Sequence, residues 1–300
     1  MIDCVYVAAS THDSRFTRIC VASIRCFYSE IPIRLLIGGR VPLGLIEELY
    51  NIWGVEVAAV PPGHYGWGFV KLEPLFQKCP ERFLVLDSDT VFLGPVLTSI
   101  AKYGTPFVVD DERQSDADTC RLYYNWEKLR TICPVASRPQ FVFNSGQWIG
   151  TSNLIRREDF SPWVNWATPR TLRHPEIFRQ GEQGVLNFVL NQRVCINQAF
   201  VTRCRMMRWP GYDLSDIKLA EVSRGVNSPY RKIVHWAGLK AARLETLSRG
   251  DLLVHFERFY YNRHGGGEPL RVSRAIGYAL KFLGREYVTK VRQRLQRRAA

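Results

Sequence analysis

The 300-residue sequence has no apolar run approaching the roughly 18 residues that a bilayer crossing needs, which excludes a membrane-spanning helix. Its opening residues, MIDCVYVAAS, have neither a basic region nor a long apolar core. They read as a first strand and not as a signal peptide, so the expected location is the cytoplasm. None of the eight cysteines stands in a C-x-x-C spacing, which removes the usual structural zinc sites. Several lie inside apolar runs, where cysteine behaves as a small buried hydrophobe, and that fits a reducing compartment. There is no internal repeat and no low-complexity tract, so a repeat array is excluded.

What is present is an ordinary globular composition, 46% hydrophobic and 23% charged. The length suits one large α/β domain with an appendage, or two small domains, with a core that needs no disulfide staples. The net charge of +13 is uneven. Residues 271–300 carry nine Lys and Arg against one Glu, a net of +8, which leaves +5 for the other 270 residues. A basic tail of this kind points to anionic lipid, to nucleic acid, or to water alone.

Strand and helix signals alternate through the first hundred residues. Cys4 to Ala9 is an apolar strand, and Phe16, Ile19, Ile24 and Phe27 follow near the helical period. Ile33 to Ile37 reads as a strand, Leu45 to Trp53 as a helix face, and Val55 to Val60 as a third strand. A helix around Val70 to Gln77 leads to the strand Phe83 to Leu86. This alternation predicts βαβ units and a mostly parallel sheet with helices on both faces. Later strands are expected at Phe107 to Val109, Gln140 to Ile149 and Lys232 to Trp236, with a helix over Glu182 to Leu190 and extended chain over Val194 to Val201. Residues 112–139 are a mixed polar excursion. Gly265-Gly266-Gly267 is the best linker candidate.

The sharpest chemical signal is FLVLDSDTVFLG, residues 83–94. Four apolar residues form a strand buried on both faces, and Asp87 and Asp89 appear where it ends. Ligands of open parallel sheets bind outside the carboxyl ends of strands. Two carboxylates sharing one face repel unless a cation lies between them, and a hard divalent ion suits oxygen ligands and a diphosphate. A second Asp-x-Asp, Asp116 and Asp118, has no strand before it and reads as a solvated loop.

With that strand in place, the chain resembles the glycogenin-like, family 8 glycosyltransferases of the GT-A fold. Six segments match in order over roughly residues 1–240: the turn Ser10-Thr11-His12-Asp13, Lys71-Leu72, Asp87-Ser88-Asp89, Phe143-Asn144-Ser145-Gly146, Glu182-Gln183-Gly184-Val185-Leu186-Asn187, and Ile233-Val234-His235-Trp236-Ala237-Gly238. The resemblance implies a GT-A-type mixed, mostly parallel sheet flanked by helices over 1–240, and a helical C-terminal extension over 241–300, basic from 271. It also implies roles. Asp87, Asp89 and His235 would hold Mn or Mg. Ser10, Thr11 and Asp13 would bind the uridine of a UDP-sugar, Asp87 would lie near the ribose, and Ser88 would be among the residues that bind the donor. Gly238 would admit backbone to the diphosphate, and Lys71 and Lys240 would offset its charge. Asp110, Asn144, Ser145 and Gln183 would face the transferred sugar. His12 stands where the family has Asn, Glu182 where Asp is commoner, and Ala241 where a Lys is usual. Phe16 fits a uracil stack and a core helix face equally.

The activity so implied moves a hexose, the family's common donors being UDP-glucose and UDP-galactose, to a glycan or glycolipid with retention. Two other readings compete. The phrase DSDTV fits a haloacid-dehalogenase-type phosphatase with Asp87 as nucleophile and Asp89 as acid and base. That motif normally opens its domain, whereas three αβ elements come first here, and no later Lys and acidic pair is assigned. Nucleic-acid binding rests on the basic tail alone, without a zinc-finger or RNP-type motif. In the tail, Ile276, Leu280, Leu283, Tyr287, Val291 and Leu295 recur at three- and four-residue steps, with Lys281, Arg285 and Arg292 off that stripe or along its margins. Such a helix suits an anionic membrane surface or packing on the catalytic domain.

Overall fold

The computed structural model describes residues 1–299 except Trp67, Ser137, Gln180, Tyr212 and Asp213; in the last helix, the side chains of Glu286 and of residues 290–299 also lie outside the description. The strands are β1 (Cys4–Ala9), β2 (Ile33–Ile37), β3 (Glu56–Val57), β4 (Arg82–Asp87), β5 (Thr90–Phe92), β6 (Phe107–Asp110), β7 (Gln147–Thr151), β8 (Val164–Asn165), β9 (Thr171–Leu172), β10 (Val201–Cys204), β11 (Met207–Arg208) and β12 (Ile233–His235). The helices are α1 (Ser14–Phe27), α2 (Leu43–Trp53), α3 (Val96–Ile100), α4 (Asp116–Leu122), α5 (Trp126–Ile132), α6 (Arg157–Phe160), α7 (Glu182–Cys195), α8 (Leu219–Val222), α9 (Gly250–His264) and α10 (Gly267–Ala299).

Seven strands form the central sheet in the order β10-β6-β7-β4-β1-β2-β3. Neighbours pair in parallel except around β7, which runs antiparallel to both β4 and β6. The sheet is therefore mixed and mostly parallel, as the alternation of signals predicts. A second sheet, β11-β12-β5, stands at its carboxyl edge, with β12 antiparallel to β5. Phe83, Leu84, Val85 and Leu86 of β4 are fully buried, each worth about 1.5–3 kcal/mol of apolar transfer. Leu84 and Leu86 face the core beneath α1 and α9, and Phe83 and Val85 face the core beneath α7.

Several predicted elements differ in form. The stretch before Lys71 and after it is a tight 3-10 helix, Phe69–Phe76, holding Pro74, which has no N–H to continue an α-helix. Of the expected Gln140 to Ile149 strand only the last three residues are regular, in a strand that runs on to Thr151. The segment before it pairs with side chains instead: the Asn187 amide accepts from Phe143 N and donates to Phe143 O, and the Asn191 amide does the same for Phe141. The expected extended chain over Val194 to Val201 begins as the last turn of α7, and Asn197 takes a left-handed conformation before β10. Asp116 and Asp118 sit in a short helix capped by the Ser115 hydroxyl, with Asp116 bonded to Arg138 at the surface. Phe16 belongs to the buried core.

The first turns of α10 are tied down by buried charge. Arg15 and Arg271 both reach Glu257, at 2.6 and 3.1 Å, and Arg18 and Arg274 both reach Glu48, at 2.8 and 2.6 Å. Glu257 is 1% exposed, and the Glu48 carboxyl, although burial alone would raise it, is held down to about 2 by these guanidinium groups and the Tyr260 hydroxyl. Farther along, Ile276, Leu280, Leu283 and Tyr287 are exposed. The stripe is not packed on the domain over those residues; Val291 and Leu295 lie outside the described side chains. Among the described residues no helix is long and apolar enough to cross a membrane.

Candidate active site

The site grows from the end of β4. Asp87 is its last residue, and its N–H donates to Gly146 O at 2.7 Å, where β7 begins. The chain then turns through Ser88 and Asp89 instead of continuing as a strand. The turn is fixed by Thr90 Oγ1 donating to Asp87 O, and by Trp236 N donating to Asp89 O. Pairing of β5 with β12 sets His235 opposite Thr90, which brings its imidazole over the two carboxylates. Nε2 lies 3.1 Å from Asp89 Oδ1 and 3.8 Å from Asp87 Oδ2.

One atom each of Asp87, Asp89 and His235 falls within 4.8 Å of the others. Two carboxylate oxygens and a neutral imidazole nitrogen are a donor set for Mn or Mg, so the residues fit such an ion. His235 is 2% exposed and is oriented by packing. Trp209 stacks on it at 5.2 Å with planes 24° apart, and Gly146 lies beneath it. Its Nδ1 has no hydrogen-bond partner among the described residues. Asp89 is buried, which alone would raise its pKa, but His235 and Lys240 hold the carboxyl well below the ordinary range.

Two lysines flank the acids. Lys71 is buried and bonds Asp87 at 3.0 Å, Glu182 at 2.6 Å and the Ser145 hydroxyl at 3.2 Å. Burial opposes its charge, yet Asp87 and Glu182 raise its pKa above the usual lysine value. Burial pushes the Glu182 carboxyl up in turn, against the pull of Lys71. Lys240 spans the other side, 2.7 Å from Asp13 and 3.3 Å from Asp89, with its ammonium 4.5 Å above the Phe16 ring. The turn holding Asp13 is closed by Ser10 Oγ donating to Asp13 Oδ2 at 2.8 Å, and by Thr11 Oγ1 donating to Arg40 O. Gly238 takes a positive φ of 70°, and the space beside its α-carbon is open.

Asn144, Ser145 and Gln183 form one hydrogen-bonded group. Gln183 Oε1 accepts from Ser145 N at 3.0 Å and its amide donates to Leu122 O, while Asn144 Oδ1 accepts from Gly146 N at 2.7 Å. Asp110 stands apart from them. Its Oδ1 accepts from Met206 N and Met207 N, both at 2.8 Å, and so ties β6 to the start of β11. Burial pushes its carboxyl up to about 6 in spite of those two donors. The link back to the group is Glu112, which accepts from Asn144 N at 2.8 Å.

Sequence reasoning did not single out Glu112, Trp209, Gly68 or Asn191. The spacing of Asn187 and Asn191, four residues apart on one helix face, was a usable signal for paired amides. Gly68 carries a steric reason: a β-carbon there would lie 1.7 Å from Glu182 Oε2. Trp209 has no neighbouring pattern that separates it from a core aromatic.

No protein-family model matches the chain, and no curated protein matches it in sequence. Solved structures do share its fold. The bifunctional glycosyltransferase WbbM aligns with 89% of this chain at a TM-score of 0.57 and 13% identity, and the chain spans about half of its length, 52%. The galactosyltransferase LgtC, solved with donor and acceptor sugar analogs, aligns over 86% of this chain and 95% of its own at a TM-score of 0.56 and 12% identity. The glycosyltransferase GlyE of Streptococcus pneumoniae TIGR4 aligns over 88% of this chain and 62% of its own, at 0.53 and 15%. At such identities the likeness establishes the fold, that of GT-A glycosyltransferases, and it does not favour the phosphatase or nucleic-acid reading.

Proposed function

We propose that the chain is a divalent-metal-dependent glycosyltransferase of the family 8 kind. It moves a hexose from UDP-glucose or UDP-galactose to a glycan or glycolipid acceptor with retention of configuration. The observation that carries this reading is the convergence of Asp87, Asp89 and His235 at the carboxyl end of β4, on a fold shared with glycosyltransferases. Held by these three residues, Mn or Mg would stabilise the charge developing on the leaving diphosphate.

The surrounding residues have separate tasks in this account. Ser10, Thr11 and Asp13 bind the uridine, Asp87 lies near the ribose, Ser88 is among the residues that bind the donor, and Gly238 lets backbone approach the phosphates. Lys240 carries positive charge between the uridine turn and Asp89. Lys71 fixes Asp87 and Glu182, and offsets phosphate charge from beneath. Asn144, Ser145 and Gln183 receive the sugar, with Asp110 at the far end. Gln183 already uses its carbonyl to accept from Ser145 N, and an amide is a poor nucleophile. A front-side displacement, in which the leaving phosphate takes the acceptor's proton, suits this arrangement. The exposed apolar stripe of α10 with its basic residues fits a peripheral position on the cytoplasmic face of an anionic membrane.

A panel of nucleotide sugars with Mn, read as nucleotide release with and without saccharide acceptors, tests the activity. Release from a UDP-hexose is expected, and proton NMR of the new bond is expected to show the donor's anomeric configuration. Release from no nucleotide sugar, or phosphate release from simple monoesters instead, would sink the reading.

A further inference from the structure

The order of strands places more than the donor site along the carboxyl edge of the sheet. Passing from β4 through β7 and β6 to β10, the edge carries Asp87, then Asn144 and Gly146, then Asp110 and Glu112, then Arg203. The uridine turn follows β1, on the other side of β4. Three inter-strand spacings, about 14 Å, separate the strand of Asp87 from that of Arg203. At that far end a cleft of about 370 Å³ opens, within the range of roughly 300–1,000 Å³ typical of small-molecule sites. Glu112, Arg113, Asp116, Arg138, Phe141 and Arg203 are among the residues lining it.

Among the described residues the charged side chains of this cleft leave donors on three arginines, beside one carboxylate acceptor, the second oxygen of Asp116. The Glu112 carboxylate is engaged: Oε1 accepts from Asn144 N, and Oε2 accepts from the Tyr123 hydroxyl at 2.5 Å and from Gln114 at 3.3 Å. Arg138 directs Nε and Nη2 at one oxygen of Asp116, leaving Nη1. Arg203 uses Nη2 on Asp111, leaving Nε and Nη1. Arg113 has no ion pair or hydrogen bond among the described residues. Guanidinium groups are donors only, and their planar forks match carboxylate and phosphate oxygens. Phe141 and Val142 stand behind the cleft as buried core residues, 8% and 5% exposed.

We propose that this cleft is an acceptor subsite for a saccharide bearing an anionic group, phosphate or carboxylate, at a position remote from the hydroxyl that reacts. The inference rests on the glycosyltransferase reading, and Glu112 is its physical link to that site, lining the cleft while holding Asn144. Given the distance along the edge, an oligosaccharide spans from the transferred sugar to the cleft, and its charged residue lies at the arginines.

Calorimetric titration of the full chain with glucose 6-phosphate, glucuronate, glucose and inorganic phosphate tests it, each on the natural chain and on Arg113→Gln/Arg138→Gln. Both substitutions are at the surface, so an unchanged melting temperature is expected and is checked first. At least one of the two charged sugars is expected to bind about tenfold or more tighter than glucose and than inorganic phosphate, and the double variant to lose about tenfold or more of that affinity. Which of the two binds tells phosphate from carboxylate. Equal binding of glucose, equal binding of inorganic phosphate, binding of none, or no loss in the variant overturns the proposal. UDP affinity in the presence of Mn, which the variant leaves unchanged, reports on the donor reading separately. Loss of UDP binding with the charged sugar still bound would indict that reading and not this one.

Discussion

The imidazole of His235 rests against the α-carbon of Gly146, so closely that a β-carbon there would lie 2.2 Å from Cε1. The glycine of the Phe143-Asn144-Ser145-Gly146 segment is thus a requirement of close approach rather than of backbone conformation, since its φ is not positive. Gly146→Ala is expected to swing His235 off the two carboxylates while the sheet stays folded. Mn titration in the presence of UDP should show affinity reduced by about tenfold or more, as for loss of one metal ligand's orientation. Unchanged Mn affinity would mean that His235 only packs.

Lys71 and Glu182 are expected to behave as a unit. Glu182 is 0% exposed, so Lys71→Met strands a carboxylate in the interior, at about 3–5 kcal/mol of unfolding free energy. Adding Glu182→Gln should recover part of that loss, because the stranded charge is then gone. Denaturant titration of the single and double variants measures it. Additive losses in the double variant would argue against a coupled pair.

Asp110 gives a pH signature of unusual sign. Its carboxyl, pushed up to about 6 by burial, keeps its proton in the folded chain over a range where the unfolded chain has released it, near about 4. The folded state therefore binds more protons between those values, and this residue makes stability fall as pH rises through that window, by about 2–3 kcal/mol at most. Asp110→Asn retains the oxygen that accepts from Met206 N and Met207 N but cannot ionise. It should match the natural chain at about pH 4 and exceed it at about pH 7.5 in denaturant titrations. A stability difference that is the same at both pH values would contradict this assignment.

The α10 stripe can be tested without disturbing its root. Leu280→Ser/Leu283→Ser leaves Arg271 and Arg274 on Glu257 and Glu48. The natural chain is expected to sediment with anionic vesicles at low salt, with each basic residue near the surface adding about 1 kcal/mol, and the variant to lose most of that binding. Equal sedimentation of both, or none of either, would leave the helix without a membrane role.

The parts legible in the sequence were those in which neighbouring residues carry the signal. Four apolar residues before Asp87 announced a strand buried on both faces, and the alternation around it announced the mostly parallel sheet. The parts that were not legible depend on partners far apart in the chain. Arg15 meets Glu257 across 242 positions, and nothing local marks either as buried. Residues 140–146 read as strand because Phe141, Val142 and Phe143 are apolar and run into Gln147–Ile149, but the amides of Asn187 and Asn191 take the place of a neighbouring strand. Lys240 stood out only as the nearest basic residue after Gly238; its bridge from Asp13 to Asp89 depends on how the last loop folds back over α1.

The central claim is that Asp87, Asp89 and His235 hold the ion on which transfer depends. The most direct measurement is nucleotide release from a UDP-hexose with Mn, compared with the same reaction in excess chelator and with Asp89→Ala, whose folding is checked by its melting temperature. The account predicts no release in chelator and a loss of at least about 10²-fold in the variant, with the fold intact. Full release under either condition would contradict it.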